Sequence, residues 1–309
     1  MTSRFHDRPS DDAPDAHGTR VWEDENGVPI DEDHRGLVYD VQTLVNRRRA
    51  LGIFGGLTLT SLLTACGVTA EADASATATA SATRASSTPT ASATATADAS
   101  VPLDEVPDET AGPYPGDGSN GVNVLDDSGI VRSDIRASFG SSTTVAPGIP
   151  LVIALTVRDA ATGAALAGKG VYVWHCDRDG NYSLYSSGVE NENYLRGVQQ
   201  TDANGLVTFT SIYPACYSGR WPHIHFEVYD DVDSAVTSGP IVKTSQMALP
   251  EEIDSAVYAT AGYEQSVRNL AQTSLQSDMV FGDDGGIHQM ATMSGSVSTG
   301  YSATLTVGV

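Results

Sequence analysis

The side chains best placed to do chemistry lie in RWPHIHF, residues 220–226, where His223 and His225 stand one residue apart behind Arg220. On a strand, residues two apart project from the same face. Two imidazoles at this spacing can therefore aim at one ion, while Ile224 points to the opposite, buried side. Taken alone, such a pair is more often two partly exposed or hydrogen-bonded strand histidines than a pair of ligands. Its neighbours add weight to the metal reading. Pro222 removes a backbone donor just before the pair, which puts this end of the strand at a sheet edge or loop junction. Arg220 sets a fixed positive charge beside it, a costly neighbour for a metal unless something anionic binds there.

No Cys-x-x-Cys, His-Glu-x-x-His or acidic cluster accompanies the histidines, so the usual zinc patterns lack their third ligand. The conspicuous companions are tyrosines: Tyr213 and Tyr217 in SIYPACYSGR, and Tyr182 and Tyr185 in DGNYSLY. A phenol with a pKa of about 10 ligates at neutral pH only if a strong Lewis acid draws off its proton, and ferric iron is the ordinary biological ion that does so. Any one of these tyrosines, taken singly, also fits an amphipathic strand or turn position.

The elements that must position these residues are mostly strands. The runs PLVIALTV (150–157), GVYVWHC (170–176), LVTFTSI (206–212), HIHFEV (223–228) and ATLTVGV (303–309) are rich in Val, Ile, Thr and aromatics. Turn signals such as Asp202-Ala203-Asn204-Gly205 separate them. Short strands at this spacing predict an all-β fold, an antiparallel β-sandwich with one or two short helices and long loops. The helical candidate is PEEIDSAVYATAGYEQSVRNLAQ (250–272), whose Pro250, Glu251 and Glu252 suit a first turn.

The 309 residues divide by composition into four segments. Residues 1–45 carry eleven Asp or Glu against four Arg and read as a disordered acidic leader. Residues 46–66 place Arg47, Arg48 and Arg49 before sixteen uncharged residues from Ala50 to Ala65 and then Cys66. Sixteen is short for a bilayer span, and the flanks match a twin-arginine export signal. The ending Leu63-Thr64-Ala65-Cys66 resembles a bacterial lipobox, which makes Cys66 a candidate lipidation site; a plain membrane-anchor helix or an uncleaved leader is the alternative. Residues 67–101 form a tether, with 25 Ala, Ser or Thr among the 30 positions 71–100. Residues 102–309 are the domain that must carry function.

The net charge of -22 argues against nucleic acid and anionic lipid headgroups as partners. Membrane contact is expected only through the lipid anchor, with the domain held at the outer face of the cell membrane or secreted. In that oxidising setting Cys176 and Cys216 remain as an even pair and a candidate disulfide.

Several motifs in order carry a resemblance to a known family. They are ETAGPYP (109–115), VRSDIR (131–136), GVYVWHCDRDGNYS (170–183) and YLRGVQQTDANGLVTFTSIYPACYSGRWPHIHFEV (194–228). Residues 109–309 resemble the intradiol ring-cleaving dioxygenases, the catechol and protocatechuate group, and in particular their exported single-chain bacterial relatives. The resemblance implies one Fe(III) per chain, held by Tyr182, Tyr217, His223 and His225, with Tyr217 the ligand displaced by substrate. It implies a small aromatic diol and O2 as reactants and a muconate-type dicarboxylate as product. Arg220 would stabilise charge on the ring, Gln246 would hydrogen-bond oxygen species nearby, and Tyr114 would wall the pocket. Two other classes stay open on the residues themselves. One is a surface-tethered β-sandwich binding module without turnover, and the other a copper oxidase using the two histidines.

Overall fold

The computed structural model describes residues 101–309. The expected leader, the signal segment with Cys66 and all but the last residue of the tether lie outside the described residues. Eight strands and three short helices follow one another as β1 (Pro150–Arg158), β2 (Gly170–Trp174), β3 (Arg196–Gln200), β4 (Leu206–Ile212), β5 (His223–Tyr229), α1 (Val232–Val236), β6 (Ile241–Ala248), α2 (Glu251–Tyr258), α3 (Glu264–Leu270), β7 (Thr292–Ser296) and β8 (Gly300–Gly308). They make two four-stranded sheets, ordered β4-β1-β8-β7 and β3-β2-β5-β6.

The first sheet keeps the alternation of a half-buried strand. In β1, Leu151, Ile153, Leu155 and Val157 are buried and their neighbours are not. Val207 and Phe209 of β4, and Tyr301, Ala303 and Val307 of β8, repeat the pattern. The second sheet is different, because β2 and β5 are buried at every position. One face, with Val171, Val173, Ile224, Phe226 and Met247, packs on the first sheet. Burial of each such large side chain contributes roughly 1.5–3 kcal/mol. The other face, with Tyr172, Trp174 and Val198, is covered by Val124, Leu125 and Ile130 from the N-terminal strap and by Tyr182 from the loop after β2. That covered outer face holds the candidate site.

Two expectations need correction. The sandwich is not purely antiparallel, since β1 and β8 pair in parallel from Leu151↔Tyr301 to Arg158↔Gly308. Strand β8 reaches β1 from the far end of the chain, so no hairpin imposes the antiparallel sense. The helices number three among the described residues, and the stretch 250–272 is two of them, broken at Gly262, whose φ of +94° only glycine adopts without strain. The third, α1, starts where Asp231 caps it by accepting from Ser234 N at 2.7 Å. Of the two positions that suited Pro222, the loop junction is the one found, because β5 lies between β2 and β6.

Candidate metal centre

The alternation of β5 places His223, His225 and Glu227 together on the outer face, with Ile224 and Phe226 in the inter-sheet core. His223 Nδ1 lies 2.5 Å from the Trp221 carbonyl, an acceptor, so Nδ1 carries the proton and Nε2 presents its lone pair. That Nε2 is 3.1 Å from His225 Nε2 and 3.1 Å from the Tyr217 hydroxyl. Trp174, opposite His225 in the register, stacks on its ring at 4.8 Å and 9° and fixes its plane. Burial first, and then the Arg220 charge, hold the His223 pKa down to about 3. Burial and the neighbouring His223 push His225 well below the ordinary histidine range. Both rings are thus neutral near pH 7, which is the ligating form.

Tyr182 comes from the loop after β2. Asp177 Oδ1 accepts from the N–H groups of Asp179 and Asn181, both at 2.9 Å, a turn that projects the next residue toward β5. The Tyr182 ring stands 5.9 Å from Tyr217 and 6.1 Å from His225, with Tyr114 packed on its other side at 4.9 Å. Its hydroxyl is buried and has no hydrogen-bond partner, and neither has His225 Nδ1. Burial, with the nearby Tyr217 phenol, raises the Tyr182 pKa well above the usual value. Buried polar atoms in native folds are paired as a rule. Donor atoms 3.1 Å apart match adjacent ligands on bonds of about 2.1 Å. Among the described residues no group of three or more His, Cys, Asp or Glu could hold a metal, and the oxygen donors beside the two histidines are those of tyrosines. Two neutral imidazoles and two phenols fit a ferric ion in donor type, and His223, His225 and Tyr217 fit it in spacing as well.

Arg220 is fully buried, donating from Nε to Asp278 Oδ2 at 3.0 Å and from a terminal nitrogen to Gln246 Oε1 at 2.7 Å. Gln246, opposite His225 on β6, donates in turn to the Thr110 carbonyl at 2.9 Å. Asp278 revises the expectation that only a bound anion offsets the Arg220 charge. Burial opposes its ionisation, yet the Arg220 charge and the Trp221 N–H hold its pKa below the usual range. Trp221 donates its backbone N–H to Asp278 at 2.6 Å and its indole N–H to the Leu249 carbonyl at 2.8 Å.

Sequence reasoning missed three groups. Asp278 sits in a polar stretch that carries no pattern. Arg196, within the quoted YLRGVQQ, gives all five N–H donors to neighbours, reaching Tyr114 O, Pro115 O, Ser183 O, Ser183 Oγ and the Tyr172 hydroxyl at 2.9–3.0 Å. It ties the strap and the Tyr182 loop to β3. Glu109, in ETAGPYP, is buried; desolvation and the charge of Asp283 push its pKa up to about 8, against the pull of Arg220. Of the other tyrosines considered, Tyr213 donates to Asp254 at 2.6 Å and Tyr185 to Asn120 at 2.8 Å, both outside the donor set.

The expected disulfide is absent. Cys176 and Cys216 are free and buried. Their sulfurs face different carbonyls, Ala215 O at 3.6 Å and Arg220 O at 3.5 Å, and they pack in separate apolar clusters.

A family model described as Dioxygenase matches residues 134–235, a stretch that contains all four candidate ligands. A chlorocatechol 1,2-dioxygenase of Rhodococcus opacus is 35% identical over 71 residues, 23% of this chain and 27% of that protein. The match thus spans about a quarter of that curated relative's length. Among solved structures, dioxygenase Tetur07g02040 aligns with a TM-score of 0.52 at 23% identity, covering 67% of this chain and 94% of its own. An intradiol ring-cleavage dioxygenase from Tetranychus urticae aligns with a TM-score of 0.49 at 25% identity, covering 59% and 87%. Residues 134–235, which hold the candidate ligands, thus carry the match to the dioxygenase family, and the sandwich around them has the fold of dioxygenase Tetur07g02040.

Proposed function

We propose that this chain is a ferric-iron-dependent intradiol dioxygenase, opening a catechol-type ring between its two hydroxylated carbons with O2 to give a muconate-type dicarboxylate. The observation that carries the reading is the convergence of Tyr217, His223 and His225 at 3.1 Å spacings beside the unpartnered Tyr182 hydroxyl. When bound, the iron supplies Lewis acidity and a template for the diol.

The chain's own residues then have separable tasks. Tyr217 is half-buried, whereas Tyr182, His223 and His225 are each no more than 2% exposed. Tyr217 would therefore be the ligand best placed to give way to the diol, its oxygen taking up a diol proton. Tyr182 and the histidines stay to hold the centre. Arg220 faces the negative charge that develops on the ring, a preorganised interaction worth about 3–4 kcal/mol. Gln246 holds that guanidinium through its carbonyl oxygen. Tyr114, packed on Tyr182, walls the pocket and helps exclude water.

The segments preceding the domain lead us to extend the proposal to an exported enzyme, tethered outside the cell membrane through Cys66. Exchanging Cys66→Ser should release it from the membrane fraction; unchanged fractionation would refute the anchor. For the activity, the full chain is loaded with iron, the tyrosinate-to-iron band is sought in the visible spectrum, and oxygen uptake is followed with a panel of diols. Ring-opened dicarboxylate is the expected product. A colourless, iron-free protein that binds aromatics without consuming oxygen would replace this reading with the binding module.

A further inference from the structure

We infer that Asp278 is a positioning residue that fixes the Arg220 guanidinium at the candidate site, an inference that rests on the function proposed above. Both its carboxylate oxygens are fully used. Oδ2 accepts from Arg220 Nε at 3.0 Å and from Trp221 N at 2.6 Å, and Oδ1 accepts from Val280 N at 2.8 Å and Phe281 N at 3.1 Å. Three backbone donors therefore clamp the carboxylate, and the clamped carboxylate holds one edge of the guanidinium. Gln246 holds a second point at 2.7 Å, and two fixed points set the plane of a planar group.

The pair is also dry, with side chains 1% and 0% exposed. A lone buried guanidinium carries a heavy desolvation penalty, and one ionised partner offsets it while leaving the far edge of the cation its field. The segment bearing Asp278 is itself rigid, since Trp221, Val280, Phe281 and Ala248 pack together beneath it. Asp278 lies beyond the matched stretch 134–235 and 58 residues after Arg220, so the part of the chain that carries the candidate ligands does not carry the group that aims the arginine.

A carboxylate that only pinned its own segment would act independently of Arg220, and that separates the two roles. The test compares the full wild-type chain with Asp278→Asn, Arg220→Lys and the double variant, reading iron content, the tyrosinate-to-iron band, kcat and KM. Asp278→Asn should keep one iron and the band, with kcat lower by about 100-fold, about 2.7 kcal/mol. In the Arg220→Lys background the same exchange should cost less than about threefold, because the group it positions is already gone. Losses that multiply in the double variant, loss of iron or band, or an unchanged kcat in folded Asp278→Asn would each overturn the inference. If Asp278→Asn does not fold, Asp278→Glu keeps the charge and moves it by one methylene. It should retain its melting temperature and iron while losing at least about tenfold in kcat, and an unchanged kcat there would overturn the inference as well. A wild-type chain that takes up no iron and opens no diol would overturn the proposed function itself, and this inference with it.

Discussion

Glu109→Gln should stabilise the protein at neutral and alkaline pH and leave it nearly unchanged near pH 4. Glu109 is 4% exposed, and burial together with the Asp283 and Asp284 charges raises its pKa from 4.5 to about 8, although Arg220 and Gln289 pull the other way. A carboxyl whose folded pKa lies above its unfolded value contributes stability fully below the unfolded pKa. It loses that contribution as the pH climbs through the folded one. Between 4.5 and pH 7 the loss comes to about 3 kcal/mol, and it levels off above pH 8 near about 5 kcal/mol. Glutamine keeps the shape and the hydrogen-bonding capacity but has no proton to lose. Urea unfolding of the iron-free protein at intervals from pH 4.5 to 8.5 should show the variant's advantage growing across that window. A difference that is flat with pH, or a variant less stable at pH 8, would show that Glu109 is ionised in the fold and that the reasoning is wrong.

Three further outcomes follow from the same geometry. His223→Ala should weaken iron binding by more than about 100-fold, beyond the 10–100-fold cost of losing a mere ligand-orienting group, as read by competition with a chelator. Phe209→Ala, in the middle of the inter-sheet core, should lower unfolding free energy by about 3–5 kcal/mol in urea while leaving the donor set intact. Burial raises the pKa of both Cys176 and Cys216, so neither should react with an alkylating reagent in the folded protein and both should react once it is unfolded. A disulfide-linked peptide pair in the mass spectrum would contradict this.

The strands with clean apolar runs were legible in the sequence to within a residue or two at β1, β4 and β5, and so was the placement of two histidines on one face. Strand β6 was not, because IVKTSQMA is buried along most of its length on both sides and carries Lys243 and Gln246 where a half-buried strand would alternate. Strand β7, TMSGS, is too short and too poor in large side chains to signal itself. At the site, types and order of residues were readable because Tyr182, Tyr217, His223 and His225 fall within one stretch of chain. The environment of Arg220 was not readable, since Asp278 and Glu109 reach it from either side of that stretch, and nothing in one sequence links them.

The five donors of Arg196 also bear on when the site takes shape. Two of its acceptors, the carbonyls of Tyr114 and Pro115, lie 82 and 81 residues away along the chain, so they arrive only after a long loop has closed. Until then a guanidinium destined to be dry is still wet, and the strap carrying Tyr114 has no fixed end. That strap should therefore order after the β1–β4 pairing, whose partners are nearer in sequence. In refolding, pulse-labelled amides of β1 and β4 should be protected before those of Gly116 and Val124, which pair within the strap and with Tyr185; simultaneous protection would contradict that order. A single side chain would then act as a latch that closes the strap over the candidate metal centre only once the sheets are in place.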